Sequence, residues 1–269
     1  MDEMYYPGQV MVLSTRLDRL DKPEAVARLE RMLTHNAVTP GAVFTLNPEM
    51  LYRSAIDPQV NSLLNSGDLN VADGIGAVWA ARRLGTPLPG RLPGIELGES
   101  AIMLAARYNV GVYLLGGRQE PPVAHMAAEL LSARFPGLTV RGAHHGYFDA
   151  DGSENDAVID EINASGAGLL IVCLGSPLQE HWIIVNRHRL TSVRVAMALG
   201  GSIDVWAGCV RRAPRIIRRA GFEWLWRIAS DPSRLRRAAA LPAFVMMTLK
   251  EGRRTRKRFR KRHKQTGNP

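Results

Sequence analysis

Residues 70–85, NVADGIGAVWAARRLG, decide the fold class of this chain. An apolar run of the strand type ends at Asp73, and two glycines follow at Gly74 and Gly76. The remainder has the composition of a helix, and Gly85 after it is a common way for a helix to end. The stretch is therefore interpreted as a strand, a tight turn and a helix.

The same alternation continues on both sides of this stretch. Continuous apolar strands separated by helices are typical of a parallel sheet covered on both faces. Asp21 and Ser153 are the expected N-caps of two of the helices. The pattern predicts an α/β fold, a Rossmann-like and mostly parallel sheet with helices on both faces. The predicted strands lie in residues 9–15, 41–47, 69–74, 110–117, 138–148, 168–175 and 192–201.

Ligands of such sheets bind beyond the carboxyl ends of the strands. Glycines recur there, and several glycine turns along one edge favour a nucleotide-type ligand, although none has the GxGxxG or P-loop pattern. For any single turn, a tight connection alone explains the glycine equally well. The predicted strand-end residues are Thr45, Asn47, Asp73, Gly116, Gly117, His145, Gly146, Gly175 to Gln179, and Gly200 to Asp204, which include Gly201.

Four candidates for chemistry each have a structural alternative. Asp73 is placed to act as a general base, but spacing alone favours a helix N-cap. Thr45 and Asn47 offer hydrogen bonds, or only a strand end and a cap. Glu180 is explained equally well as a first-turn acid favoured by the helix dipole. Arg91, in a loop, is either a solvated charge or a ligand for phosphate oxygens.

Metal and hydrolase chemistry are disfavoured by the motifs. The chain has no HExxH, no paired cysteines and no GxSxG elbow. His144 and His145 are adjacent, so within a strand they are expected to point to opposite sides. We therefore predict no metal site and no cofactor.

Charge is distributed unevenly along the chain. Residues 1–210 have 16 Lys or Arg against 22 Asp or Glu, whereas residues 211–249 and 250–269 carry net charges of +7 and +9. An acidic body with a basic C-terminal part indicates an anionic partner, either nucleic acid or anionic lipid. We predict a catalytic domain in residues 1–210, a separate amphipathic appendage in 211–249, and a disordered basic tail in 250–269.

The appendage has a helical period. Trp224, Leu225 and Ile228 fall on one helix face with arginines nearby, which is typical of helices that bind membrane surfaces. Alternatively, Trp224, Trp226 and Trp206 complete the hydrophobic core. Neither a signal peptide nor a segment of membrane-spanning length is visible, and two cysteines give no disulfide framework, so a cytoplasmic location is expected.

Seven motifs occur in an order that resembles the WecG/TagA/CpsF glycosyltransferases, glycosyltransferase family 26. They are TLNPEML, VADGIG, RLPGIEL, LGSPLQEHW, ALGGSIDVWAG, RRAP and GFEWLWRI, within residues 10 to 245. The resemblance implies inverting, metal-independent transfer from a UDP-sugar to a sugar on a polyprenyl diphosphate. It also implies that the enzyme acts at the cytoplasmic face of the membrane, in the synthesis of a cell-surface polysaccharide. The C-terminal appendage is then expected to reach the membrane, and the protein is expected to self-associate.

The resemblance also implies roles for matching residues. Asp73 corresponds to the base of the family, and Thr45, Asn47, Arg91 and Gln179 match its other motif residues. Arg218 and Arg227 are our candidates for stabilising the leaving diphosphate. Donor binding is assigned to Gly116, Gly117, Gly146, Gly175, Gln179, Gly201 and Asp204. Gly74 and Gly76 are expected to leave room for a sugar beside Asp73.

A second hypothesis is a nucleic-acid-binding protein with a nucleotide-binding-like fold. It rests on the basic tail and a pI near 10.2. A nucleic-acid reader usually has a basic patch on the folded body, yet residues 1–210 are net acidic. The charge distribution therefore favours an anionic membrane surface, and no nucleic-acid partner is expected.

Overall fold

The computed structural model describes residues 8–35, 37–219, 221–230 and 239–266, with side chains except at positions 219, 227, 230 and 256–266. Strands β1 (Gln9–Val12) and β2 (Thr15–Asp18) form an antiparallel hairpin. A parallel sheet contains β3 (Gly41–Leu46), β4 (Leu69–Ala72), β5 (Val112–Gly116), β6 (Val140–His144), β7 (Leu169–Cys173) and β8 (Val195–Ala198). Its order is β4-β3-β8-β7-β5-β6, which confirms the mostly parallel sheet.

Helices cover both faces of this sheet. They are α1 (Lys22–Thr34), α2 (Pro48–Ile56), α3 (Pro58–Asn65), α4 (Ile75–Leu84), α5 (Gly94–Arg107), α6 (Val123–Arg134), α7 (Ser153–Ser165), α8 (Leu178–Asn186), α9 (Ser202–Trp206), α10 (Arg215–Arg219), α11 (Glu223–Ser230) and α12 (Ala240–Thr266). One core contains residues of α2, α3, α4, α7, α8 and α12. The other contains residues of α1, α5, α6 and α9. The two-sided α/β architecture is confirmed.

Local sequence signals explain several helix ends. Asp21 caps α1 and forms a capping box with Glu24, as expected. Gly85 ends α4 in the left-handed conformation, with φ of 93°. The expected cap at Ser153 is wrong by one residue, because Gly152 is the N-cap of α7 and Ser153 is its first residue.

The hairpin packs against the edge of the sheet. Strand β2 has no counterpart in the prediction, which placed one strand before the first helix. Asp18 at its end is buried and accepts hydrogen bonds from the backbone N of Asn70, at 2.8 Å, and from Nη1 of Arg28, at 2.9 Å. This contact joins the hairpin to β4 and satisfies the buried carboxylate.

The C-terminal helix is part of the core. Phe244, Thr248 and Gly252 recur every four residues of α12, so they share one face, and all three are buried. This helix packs against α2 and α4, and a Cβ on Gly252 would lie 3.1 Å from the carbonyl O of Arg83. Helix α12 therefore packs on the same core as α2 and α4. Residues 250–266 continue this helix, and the division into a catalytic domain, an amphipathic appendage and a disordered basic tail stays a prediction.

Candidate active site at the carboxyl edge of the sheet

The strand register brings the predicted strand-end residues to one edge. Leu46 pairs with Ala72, Phe44 and Val172 each pair with Ala198, and Gly116 pairs with Cys173. The residues that follow these positions therefore leave the sheet side by side. This is the edge at which open α/β sheets bind their ligands.

Asp73 leaves the sheet directly after β4 and is half-buried. Its backbone N donates to the carbonyl O of Leu46 at 2.9 Å, which holds it beside the end of β3. Gly74, not Asp73, is the N-cap of α4, and its φ of 97° favours glycine. The alternative of Asp73 as the N-cap residue is therefore wrong. The Asp73 carboxylate belongs to the residue before this cap, at the carboxyl edge of the sheet.

Gly76 has a packing role. A Cβ at this position would lie 2.6 Å from Cγ of Pro48, the first residue of α2. The missing side chain therefore lets α4 approach α2. Space for a sugar, expected at this glycine, is filled by the protein itself.

Thr45 and Asn47 have structural bonds. Oγ1 of Thr45 donates to the carbonyl O of Ala198 at 3.2 Å, which joins β3 to β8 at the site edge. Oδ1 of Asn47 accepts from the backbone N of Met50 at 3.1 Å and caps α2. The cap interpretation of Asn47 is confirmed, and both side chains support the loops around Asp73.

Gln179 connects the loops after β7 and β8. Its Oε1 accepts from the backbone N of Gly200 at 2.9 Å, and its Nε2 donates to Oε1 of Glu180 at 2.7 Å. Glu180 is an acid in the first turn of α8, as the helix-dipole alternative expected, and it is fully buried. Burial raises the pKa of its carboxyl group. This buried pair was not apparent in the sequence, where both side chains are polar residues at the start of a helix.

The glycines of the edge fall into two groups. A Cβ on Gly116, whose φ is 140°, would lie 2.5 Å from the carbonyl O of Cys173, and one on Gly146 would lie 3.1 Å from Cα of Gly116. Gly117 accepts a backbone hydrogen bond from Gly146 at 2.8 Å. These three glycines allow the chain to pack closely. Gly175, with φ of 84°, instead has nothing within 4 Å of its Cβ position and faces open space.

The last two predicted donor residues belong to α9. Gly201 is the N-cap of this helix, and Asp204 lies in its first turn. Both follow β8, so they lie at the same edge. Burial raises the pKa of the Cys173 thiol to about 12, and the charge of the nearby Asp204 adds to this rise.

An arginine–glutamate cluster joins the C-terminal segment to the body. It consists of Arg91, Glu96, Arg212, Arg218 and Glu223. Oε1 of Glu96 accepts from Nη2 of Arg212 at 2.7 Å and from Nη1 of Arg218 at 3.3 Å. Glu223 lies 3.8 Å from Nη1 of Arg91 and 3.7 Å from Nε of Arg212. Nη2 of Arg91 also donates to the carbonyl O of Arg218 at 2.5 Å.

Two of the predicted diphosphate ligands therefore meet in this cluster. The side chain of the third, Arg227, lies outside the described residues. Arg212, Glu96 and Glu223 were missed as site residues. The only signal for them was their presence in the motifs RRAP, RLPGIEL and GFEWLWRI.

Two contacts place this cluster beside Asp73. Leu92, next to Arg91, donates from its backbone N to the carbonyl O of Ala72 at 2.8 Å, and Ala72 precedes Asp73. Gly221 lies against α4, because a Cβ there would be 2.9 Å from Cδ1 of Ile75. The segments that carry Asp73 and the arginines therefore meet at the same edge of the sheet.

Exposed apolar side chains mark the C-terminal segment. Trp224 is 46% exposed, Leu225 50% and Ile216 82%, whereas Trp206, the last residue of α9, is buried in the core that α9 shares with α6. The core alternative therefore holds for Trp206 and not for Trp224. Among the described helices, none is both long enough and apolar enough to cross a bilayer.

The histidines of the edge differ from the expectation. Strand β6 ends at His144, so the following His145 is free to turn back, and the two ring centroids lie 4.4 Å apart. Burial and the neighbouring His144 lower the pKa of His145. Within the described part of the chain, no group of three His, Cys, Asp or Glu side chains is arranged to hold a metal ion.

Comparison with known proteins gives a match along nearly the whole chain. A sequence profile described as the glycosyl transferase WecG/TagA/CpsF family matches residues 10–258. Relatives from Staphylococcus aureus strains MRSA252, MW2 and COL are each 31% identical over 257 residues, which cover 96% of this chain and 98% of theirs. Each is named N-acetylglucosaminyldiphosphoundecaprenol N-acetyl-beta-D-mannosaminyltransferase.

Proposed function

This chain belongs to the WecG/TagA/CpsF family of glycosyl transferases. On that premise we propose that it moves a sugar from a UDP-sugar to a sugar carried on a polyprenyl diphosphate, with inversion at the anomeric carbon, in the synthesis of a cell-surface polysaccharide. The observation that carries the proposal is that Asp73 and the arginine–glutamate cluster border one edge of a parallel sheet. N-acetylmannosamine and a lipid-linked N-acetylglucosamine acceptor, taken from the relatives' names, are the first substrates to test.

Asp73 acts as the general base in this proposal. Its carboxylate takes the proton of the acceptor hydroxyl while the acceptor oxygen forms a bond to the anomeric carbon. The bond from that carbon to the UDP oxygen breaks, and UDP leaves with the electron pair. A base of this kind needs to reach the hydroxyl directly, and a half-buried carboxylate at the mouth of the sheet has that access.

Arginines stabilise the leaving diphosphate in place of a metal ion. The Arg91 guanidinium group donates a hydrogen bond to the backbone carbonyl O of Arg218, and Arg212, which shares Glu96 with Arg218, adds a third guanidinium group. Guanidinium groups bind phosphate oxygens in a bidentate manner and keep their charge at all physiological pH values. Arg227 is the fourth candidate, from the sequence alone.

The remaining predicted residues act on the donor and on the loops around it. Gly175 faces open space, which suits close approach of a nucleotide to the backbone. Gln179 positions this loop through its bond to Gly200. Gly116, Gly117 and Gly146 allow the neighbouring turns to pack, and Thr45 and Asn47 hold the loops beside Asp73. Gly201 and Asp204 complete the donor side.

The protein works as a peripheral protein on the inner face of the cell membrane in this account. Exposed Trp224 and Leu225 supply apolar contacts, and the basic residues of the tail each add on the order of 1 kcal/mol on an anionic leaflet. Co-sedimentation with anionic vesicles tests this. Replacing both residues by serine should reduce binding, whereas Leu130→Ser, at a body position with 49% exposure, should not. Self-association in solution is a separate proposal, measured by analytical ultracentrifugation with and without vesicles.

A transfer assay tests the function itself. The purified protein is incubated with a panel of UDP-sugars, including UDP-N-acetylmannosamine, and a lipid-linked N-acetylglucosamine diphosphate. The expected product is the acceptor with one added sugar, formed equally well with a chelator present. Failure with every UDP-sugar of the panel contradicts the donor assignment, and loss of product on chelation contradicts metal independence.

A further inference from the structure

The two glutamates of the arginine–glutamate cluster hold their arginines differently. Glu96 makes hydrogen bonds to Arg212 and Arg218, at 2.7 and 3.3 Å. Glu223 lies between Arg91 and Arg212 at 3.8 and 3.7 Å, which is within ion-pair range but beyond hydrogen-bonding distance. Glu223 therefore balances the charges of Arg91 and Arg212, but it is too far from Nη1 of Arg91 and Nε of Arg212 to accept a hydrogen bond from them.

One of those donor groups is unsatisfied. Nε of Arg212 is buried and has no hydrogen-bond partner among the described residues. A buried donor without a partner is costly, so its presence needs an explanation. An anion with several oxygens, placed where Glu223 lies, would accept from Arg212 and Arg91 together, since guanidinium groups pair well with phosphate.

The two glutamates also differ in how they are anchored. Glu96 lies in the first turn of α5, and the following Leu97 is 1% exposed, so the core fixes its position. Glu223 begins α11, and its neighbours Phe222 and Trp224 are 54% and 46% exposed. The side chains themselves are similarly covered, with 23% exposure for Glu223 and 31% for Glu96, so the difference lies in the segments that carry them. Movement of the start of α11 displaces exposed neighbours, whereas movement of Glu96 disturbs a core helix.

We propose that Glu223 is a displaceable counter-ion that occupies the diphosphate position between Arg91 and Arg212, and that Glu96 is the positioning residue that keeps Arg212 and Arg218 in place when the diphosphate binds. This rests on the proposed function, and it adds which residue must leave before a diphosphate binds. The diphosphate belongs to the nucleotide donor or to the lipid carrier, which share this chemistry.

Charge-neutral variants of the two glutamates separate these roles. Glu223→Gln removes the competing charge, while Glu96→Gln weakens the hold on two arginines. The control is Glu99→Gln, which breaks an ion pair of 2.9 Å with Arg134 outside the cluster. Calorimetric titration with UDP, inorganic diphosphate and farnesyl diphosphate measures affinity, and the first and third probes distinguish the nucleotide from the lipid carrier.

The proposal requires effects of opposite sign. Displacing a partly exposed ion pair reduces apparent affinity by a factor of about three to ten, so Glu223→Gln should tighten diphosphate binding by about that factor. Glu96→Gln should weaken it by a similar factor, and Glu99→Gln should leave it unchanged. Glu223→Gln should also lower the KM of the substrate whose diphosphate binds between Arg91 and Arg212. A purely structural role of Glu223 would not lower this KM.

Unchanged or weaker binding by a folded Glu223→Gln variant overturns the proposal. Thermal melts verify folding, and Glu223→Ala provides a second variant if the first does not fold. Failure of the proposed function is separable from this result. A wild-type protein that binds diphosphate but transfers no sugar contradicts the function alone, whereas active wild-type protein with no gain in Glu223→Gln contradicts only the counter-ion role.

Discussion

Replacing Phe244 by alanine tests whether helix α12 belongs to the core. The Phe244 side chain is 1% exposed and packs among residues of the sheet face that α2 and α4 cover. The same helix face carries Thr248 and Gly252, both buried. Removal of the ring leaves a cavity in this core.

The expected cost follows from this burial. Phe→Ala at a fully buried site lowers the free energy of unfolding by about 3 to 5 kcal/mol. Because α12 packs on the outside of α2 and α4, it can move inward, so we expect the lower end, about 3 kcal/mol. For a chain of this size that corresponds to a fall in Tm of roughly 6 to 12 °C.

Thermal and urea denaturation measure this change, and native-state hydrogen exchange locates it. Met246→Ala is the matched control, since that side chain lies on the same helix and is 67% exposed. Its effect should stay within about 0.5 kcal/mol. Equal effects of the two substitutions would refute the docked position of α12 and would favour an appendage that folds apart from the sheet domain.

Three further experiments test the edge of the sheet. Burial raises the pKa of Glu180 above 4.5, so the stability that this carboxyl group contributes is present at acid pH and lost as the pH rises through the raised pKa. The amount by which the Tm of Glu180→Gln exceeds that of wild type should therefore grow from acid to neutral pH. A difference in Tm that is constant with pH would contradict the burial. In denaturation experiments, Gly116→Ala should lower the free energy of unfolding by more than about 2 kcal/mol, because the added Cβ meets the carbonyl O of Cys173. Gly175→Ala, in open space, should lower it by only about 1 kcal/mol, and equal losses would contradict the clash at Gly116. Asn47→Ala should cost about 1 kcal/mol and Asn47→Asp little, because aspartate keeps the cap of α2; loss of transfer in both would show a role beyond capping.

Periodicity was sufficient to predict the sheet and the residues that follow its strands at one edge. Runs such as residues 110–117 and 168–175 are apolar throughout, and only a strand buried on both faces requires that pattern. Parallel strands then place their carboxyl ends together, so Asp73 and Gly116 were assigned to one edge without any knowledge of contacts. The cap at Asp21 followed from local chemistry in the same way.

Long-range packing could not be predicted from the same signals. The sequence around Phe244 is basic and amphipathic, and such a pattern fits a membrane surface or a protein groove equally well. The groove on α2 and α4 forms only when distant segments come together. Burial of Glu180 was hidden for the same reason, because its position in a helix gives no information on what covers it. The pairing of Glu96 with Arg218 joins residues far apart in the chain and has no local signature.

The most direct test of the account is the turnover of an Asp73→Asn variant. The variant keeps the size of the side chain but removes the base, and its fold is verified by thermal denaturation. Transfer of sugar to the lipid-linked acceptor is measured at saturating substrates beside wild type. We predict that kcat falls by about 10²- to 10⁴-fold, the usual contribution of a general base. Near wild-type turnover in the folded variant would contradict the assignment of Asp73 as the base.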